Sequence, residues 1–178
     1  MKNIFYITGV NGIGKTTLIS QLTQKLNIDI FEIHDFDERG VPDNADKTWR
    51  KSETLHWTQV GKENTKKGSK TIICGFMKFS EILDSLEKEE AQGEICLLDA
   101  NEEIITERIL GRYKNNPGGI ADLNRAVGKT PEKFASDNVW ISSQFRDQAK
   151  ESGYFIIDTS NLSPEEVGKK VIDWIELS

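Results

Sequence analysis

Eight consecutive residues, Gly9-Val10-Asn11-Gly12-Ile13-Gly14-Lys15-Thr16, combine three glycines with one ammonium group and one hydroxyl. They match the spacing G-x-x-x-x-G-K-[ST] at every fixed position. Glycines let the backbone curl so that successive N–H groups point inward at an anion. A helix starting at about Gly14 adds its positive end. In such a cradle Lys15 reaches the β- and γ-phosphates of a nucleoside triphosphate, and the Thr16 hydroxyl ligates Mg²⁺. An ordinary glycine-rich turn from strand to helix is the plain alternative, but it leaves the Lys-Thr pair unexplained.

A second group with chemical capacity is His34-Asp35-Phe36-Asp37. Phosphoryl transfer needs a carboxylate to take a proton from the acceptor and another to help hold Mg²⁺. Alternation with period two sends Asp35 and Asp37 to one side if strand geometry persists. Asp35 is assigned to the metal and Asp37 to the acceptor. The competing reading is that one or both simply cap a turn.

These groups need elements to hold them. Residues 3–8 form a short apolar run that reads as a first strand, and a helix with Leu18, Leu22 and Leu26 on one face follows. Residues 28–33 alternate like a strand that stops at His34. A helix is predicted from about 45 to 67, ended by Gly68, with Trp49, His56, Trp57 and Val60 on one face. Strands at 70–74 and 94–98 flank a helix from about 79 to 91. Asn101 starts a helix running to about Tyr113, with Glu102 and Glu103 at its positive end.

Asn115-Asn116-Pro117-Gly118-Gly119 is the strongest breaker in the chain, and 115–130 reads as a mobile excursion. Thr130-Pro131 opens a helix to about Ser152, 154–158 is a last strand, and Ser163-Pro164-Glu165-Glu166 is a capping box opening a final helix. Strands alternating with helices imply a parallel sheet covered on both faces. Ligands of such sheets collect at the carboxyl ends of the strands, where Gly9–Thr16 and Asp35–Asp37 both fall.

The Walker-type loop, Asp-x-Asp after the second strand, and Trp49-Arg50-Lys51-Ser52-Glu53 on the next helix together resemble the shikimate and gluconate kinase group, within the nucleoside and nucleotide kinase family of P-loop proteins. The resemblance implies a three-layer α/β/α P-loop NTPase fold with five parallel strands in the order 2-3-1-4-5. It implies a single kinase domain over 1–178, with a substrate-binding helical segment at about 40–68 and a lid at about 112–131.

Arg50 matches the arginine that binds the substrate carboxylate in shikimate kinases, and Glu53 matches the glutamate that follows it. A solvated helix residue is the equal alternative for Arg50. Cys74-Gly75-Phe76 stands where shikimate kinases carry three glycines, so only Gly75 is matched and shikimate itself is in question. The lid arginines of the family correspond to candidates Arg108, Arg112 and Arg125, with Arg112 first. Salt bridges to Glu102, Glu103 or Glu107 are the competing use of these arginines. Asp99 reads as a loop or cap residue, His34 and His56 as structural, and Asp158-Thr159-Ser160 as the border of the adenine.

The reading is an ATP-dependent kinase that transfers the γ-phosphoryl group to a nucleoside, nucleotide or hydroxy acid. Lys15, Asp37 and Arg112 are its catalytic candidates. Nucleotide contacts fall to Gly9, Asn11, Gly12, Ile13, Gly14, Lys15, Thr16, Thr17, Arg108 and Arg112. The acceptor falls to Asp37, Arg50 and Gly75, and Mg²⁺ to Thr16 and Asp35. The alternative is a stand-alone NTPase acting as a nucleotide-dependent switch. It lacks a convincing Asp-Glu pair after an apolar strand.

The 178 residues suffice for one core, and a net charge of -6 argues against nucleic acid and anionic membrane as partners. No membrane span or signal peptide is expected. Cys74 and Cys96, in apolar runs, read as reduced core residues of a cytoplasmic protein, monomeric or homodimeric.

Overall fold

The computed structural model describes residues 2–43 and 45–178. Met1 and Asn44, the latter within the 40–68 segment, lie outside them. The elements run β1 (Ile4–Thr8), α1 (Lys15–Lys25), β2 (Phe31–Asp35), α2 (Lys47–Lys67), β3 (Lys70–Gly75), α3 (Phe79–Lys88), β4 (Gly93–Asp99), α4 (Glu102–Tyr113), α5 (Pro117–Val127), α6 (Pro131–Ser152), β5 (Phe155–Asp158) and α7 (Pro164–Leu177). All strand pairings are parallel, and the sheet order is β2-β3-β1-β4-β5, as expected.

The alternation along β1 divides the core. Phe5 and Ile7 join Leu18, Leu22, Ile105, Val171 and Trp174 on one face, which α1, α4 and α7 cover. Ile4 and Tyr6 join Trp57, Ile73, Met77 and Ile82 on the other, which α2 and α3 cover. Helix α6 serves both, with Ala135 in the first cluster and Phe145 and Ala149 in the second. Each large side chain buried in this way contributes roughly 1.5–3 kcal/mol of transfer free energy, which fixes the layers the site stands on.

Three expectations shift. The second strand begins and ends later than 28–33. Asn27 starts a turn instead: its side-chain oxygen accepts from Asp29 N–H, and its carbonyl accepts from Ile30 and Phe31. The alternation at Ile28 and Ile30 is that of exposed turn residues. Helix α3 stops at Lys88, because Glu90 takes a left-handed conformation and Ala91 N–H returns to the Leu86 carbonyl. The largest change is at 115–130, where the breaker is followed by a helix. Asn116 accepts from Gly119 N–H at 2.9 Å, Pro117 occupies the first turn, and α5 runs to Val127. The breaker is a helix start. A Cβ on Gly119 would meet Asn116 Nδ2 at 2.5 Å, so the glycine is what lets the cap close.

Candidate active site

The cleft at the carboxyl end of the sheet is an open space of ≈ 490 Å³. Its floor is the turn from β1 to α1. Gly12 and Gly14 hold positive φ values of 80 and 103, a region only glycine enters freely. Gly9 is buried, and a Cβ there would stand 2.6 Å from the Leu98 carbonyl oxygen, so the loop lies flat against β4. Gly9 therefore shapes the cradle from beneath, whereas Asn11, Gly12, Ile13, Gly14, Lys15, Thr16 and Thr17 line it.

The head of α1 differs from the other helix heads. Asp46, Asn101, Asn116, Thr130 and Ser163 each accept a backbone N–H in the first turn of α2, α4, α5, α6 and α7. In α3 the Glu81 carboxylate accepts the N–H of Lys78. Helix α1 opens on Gly14 with no side-chain cap. Its first-turn donors thus face the cleft without an intrahelical acceptor, an arrangement that suits an anion.

Lys15, half-buried beside them, donates to the carbonyls of Gly9 and Val10, both at 2.8 Å. Burial pulls its ammonium down to about 8; Cys74, Asp37 and Asp35 oppose the shift and Arg112 adds to it. Asn11 is held by a contact invisible in the sequence: Asn138, buried on α6, accepts from Asn11 N–H at 3.0 Å and from its amide at 3.2 Å.

Facing Lys15 are the two aspartates. Strand geometry ends at Asp35, and Asp37 stands in the following turn, with its N–H donating to Asp35 Oδ1 at 3.0 Å. Asp35 does cap a turn, and both side chains still line the cleft. Phe36 between them is buried against Gly75 and Trp49. Glu38 braces the turn: one oxygen accepts from Asp35 N–H, and the other lies 2.8 Å from Nδ1 of His34. Desolvation, and then Asp35, push the Asp37 carboxyl above the usual carboxylate range, while Lys15 pulls the other way.

Gly75 lines the cleft, and a Cβ there would fall 2.1 Å from Phe36 Cβ. Its small size is thus required by the packing under the aspartates. Among the described residues no cluster of three or more acidic, His or Cys groups could cage a metal. The donor set is a Thr16 hydroxyl and one or two carboxylates. It fits Mg²⁺, a metal that keeps waters and phosphate oxygens in its shell.

Of the lid candidates, Arg108 and Arg112 line the cleft. Arg108 donates to the hydroxyl and carbonyl of Thr159, both at 2.9 Å, and so ties α4 to the segment after β5. Leu162, Pro164 and Val167 add an apolar wall there. Arg112 makes no salt bridge among the described residues, and Arg125 is exposed and paired with Asp122 on its own helix. Asp99 pairs with Arg146 and accepts from Ser142, which ties β4 to α6. Arg50 lies outside the cleft lining, bound to Glu81. Cys74 and Cys96 are buried thiols that burial pushes up, Cys74 to about 12.

The fold is that of the P-loop small-molecule kinases. The chain is similar to a sugar kinase from Janibacter sp. HTCC2649, with 17% identity, TM-score 0.63, and coverage of 100% of this chain and 96% of that one. Shikimate kinase from Acinetobacter baumannii, solved with shikimate, aligns at 19% identity and TM-score 0.60, covering 98% and 93%. The tunicamycin resistance protein of Deinococcus radiodurans aligns at 16% identity and TM-score 0.61, covering 98% and 96%. No family model and no curated protein matches the sequence.

Proposed function

We propose that this chain is a kinase that transfers the γ-phosphoryl group of ATP to a small-molecule acceptor, a nucleoside, nucleotide or hydroxy acid. The observation that carries the reading is the uncapped head of α1, with the Lys15 ammonium beside it and the Asp35–Asp37 turn across the same cleft. An anion cradle opposite a carboxylate pair suits in-line transfer to a hydroxyl.

Residues Gly12 to Thr17 hold the phosphates through backbone N–H groups, with Asn11 anchored to Asn138 beside them, and Lys15 neutralises charge that builds on the transferring group. Thr16 and Asp35 would hold Mg²⁺, which supplies charge neutralisation on the phosphate oxygens. Asp37 orients the acceptor hydroxyl and takes its proton as the oxygen attacks phosphorus; the bond to the bridging oxygen breaks, and ADP leaves. The raised affinity of Asp37 for protons suits it to this work. Arg112, exposed on the rim and close enough for its charge to act on Lys15, closes over the phosphates as a lid residue. The segments at about 40–68 and 112–131 then serve as acceptor site and lid.

The test is ATP turnover with and without a panel of nucleosides, nucleotides, sugars and hydroxy acids. One acceptor should raise turnover at least about tenfold. Asp37→Asn should lower kcat by about 10²–10⁴-fold while ATP still binds. Turnover indifferent to every acceptor would point to a nucleotide-dependent switch instead.

A further inference from the structure

Behind the two aspartates the structure pairs its positive charges before any acceptor arrives. The Arg50 guanidinium donates through Nη2 to Glu81 Oε1 at 3.0 Å and through Nε to Glu81 Oε2 at 3.3 Å. The Glu81 side chain is 0% exposed. Arg39 Nη1 sits 3.3 Å from Glu53 Oε2, and the Glu53 side chain is 8% exposed. Both pairs belong to the acceptor end. The Glu53 charge acts on Asp37, and Arg50 lies over the ring of Phe76, next to Gly75 of the cleft lining.

Four carboxylates at this end (Asp35, Asp37, Glu53 and Glu81) thus face two guanidiniums that are already engaged. The cations lining the cleft without a salt bridge among the described residues, Lys15, Arg108 and Arg112, belong to the phosphate end. Lys47 at the start of α2 and Lys78 before α3 are exposed and stand outside the lining.

We propose that the acceptor is an uncharged hydroxyl compound, a nucleoside or sugar, and that Glu81 sets this preference by occupying Arg50. The inference rests on the kinase reading and narrows its acceptor. A carboxylate or phosphate on the acceptor would have to draw Arg50 off a fully buried carboxylate and leave that carboxylate unpaired. It would also approach a surface with a net excess of negative charge. An uncharged polyol meets neither penalty, because its hydroxyls donate to the same carboxylates that repel an anion. Glu81 acts through Arg50 and is a positioning residue.

The experiment compares kcat/KM within matched pairs: thymidine against thymidine 5′-phosphate, uridine against uridine 5′-phosphate, and glucose against gluconate. The wild-type protein should favour the uncharged member by about tenfold or more in each pair it turns over. Glu81→Gln keeps an acceptor at the third position of the capping box and removes the charge that holds Arg50. It should shrink that preference by about tenfold.

Faster turnover of an anionic member by the wild type, through Lys78 or a displaced Arg50, overturns the inference and leaves the kinase reading intact. An unchanged ratio in Glu81→Gln overturns the role of Glu81. If no acceptor of either charge raises ATP turnover, the kinase reading falls and takes this inference with it. The wild-type comparison stands even if the variant does not fold.

Discussion

The two ends of the cleft handle charge in opposite ways. At the phosphate end, helix α1 is left without a side-chain cap, and Lys15 is satisfied by backbone carbonyls alone. At the acceptor end, Arg50 and Arg39 are already held by the buried carboxylates of Glu81 and Glu53. The first end offers donors without a side-chain partner, and the second offers guanidiniums that are already paired. An arginine beside a substrate site therefore does not by itself signal an anionic substrate, because its partner decides what it offers.

Removing Arg50 breaks the comparison most directly. Arg50→Ala leaves the Glu81 carboxylate buried and unpaired, and urea unfolding should show a loss of about 3–5 kcal/mol. A loss of a few tenths would mean that the pair is not a fixed part of the acceptor wall.

At the other end, Lys15→Ala should lower ATP turnover by about 10²–10³-fold and weaken nucleotide binding, as measured by calorimetry. The pH dependence sharpens this. The folded Lys15 ammonium titrates near 8, below its ordinary value of 10.5 in the unfolded chain. ATP affinity should therefore fall as pH rises through about 8 and the ammonium loses its proton. Between these two values the unfolded chain holds a proton that the native state has released. The Lys15 contribution to the stability of the nucleotide-free protein thus rises with pH across that window. Cys74 and Cys96, whose raised thiols lower stability over the same range, are common to both proteins, so the unfolding free energy of the wild type relative to Lys15→Met should rise between about pH 7 and about pH 10.

Gly75→Ala probes the floor between the two ends. Its methyl group would fall 2.1 Å from Phe36 Cβ, so Phe36 and the carboxylate turn must move. A loss of about 1–3 kcal/mol is expected, together with reduced turnover. Unchanged unfolding and kinetics would show that the turn bearing Asp35 and Asp37 is not held by this packing. Lys51→Ala is the smallest expected effect. Lys51 neighbours Arg50 in sequence, but its pair with Asp84 is 46% and 59% exposed, so the urea midpoint should hardly move. A loss as large as that of Arg50→Ala would erase the distinction between buried and exposed pairing on α2.

The turn from β1 to α1 was legible because its parts are adjacent in the chain: three glycines, a lysine and a threonine within eight residues. The aspartates were legible as a pair, but the start of their strand was read three residues early, since Ile28 and Ile30 mimic strand alternation while Asn27 turns the chain. The Asn-Pro-Gly-Gly stretch was read as a breaker because cap and proline signals that start a helix also stop one. Nothing in the sequence announced Asn138, whose bonds to Asn11 span 127 positions, or Glu81, which lies 31 positions from Arg50.

Sequence alone determined the alternating elements, the glycine-rich turn that ends in Lys15 and Thr16, and the presence of two carboxylates near it. These depend on periodicity and on backbone freedoms that act between neighbours in the chain. Tertiary structure alone decided which charges are left unpaired at the cleft. Arg50 could have been a solvated cation or a substrate clamp, and only packing α2 against α3 gave it Glu81 as its partner. A residue type fixes what a side chain is able to bind, but distance in the folded chain settles what it does bind.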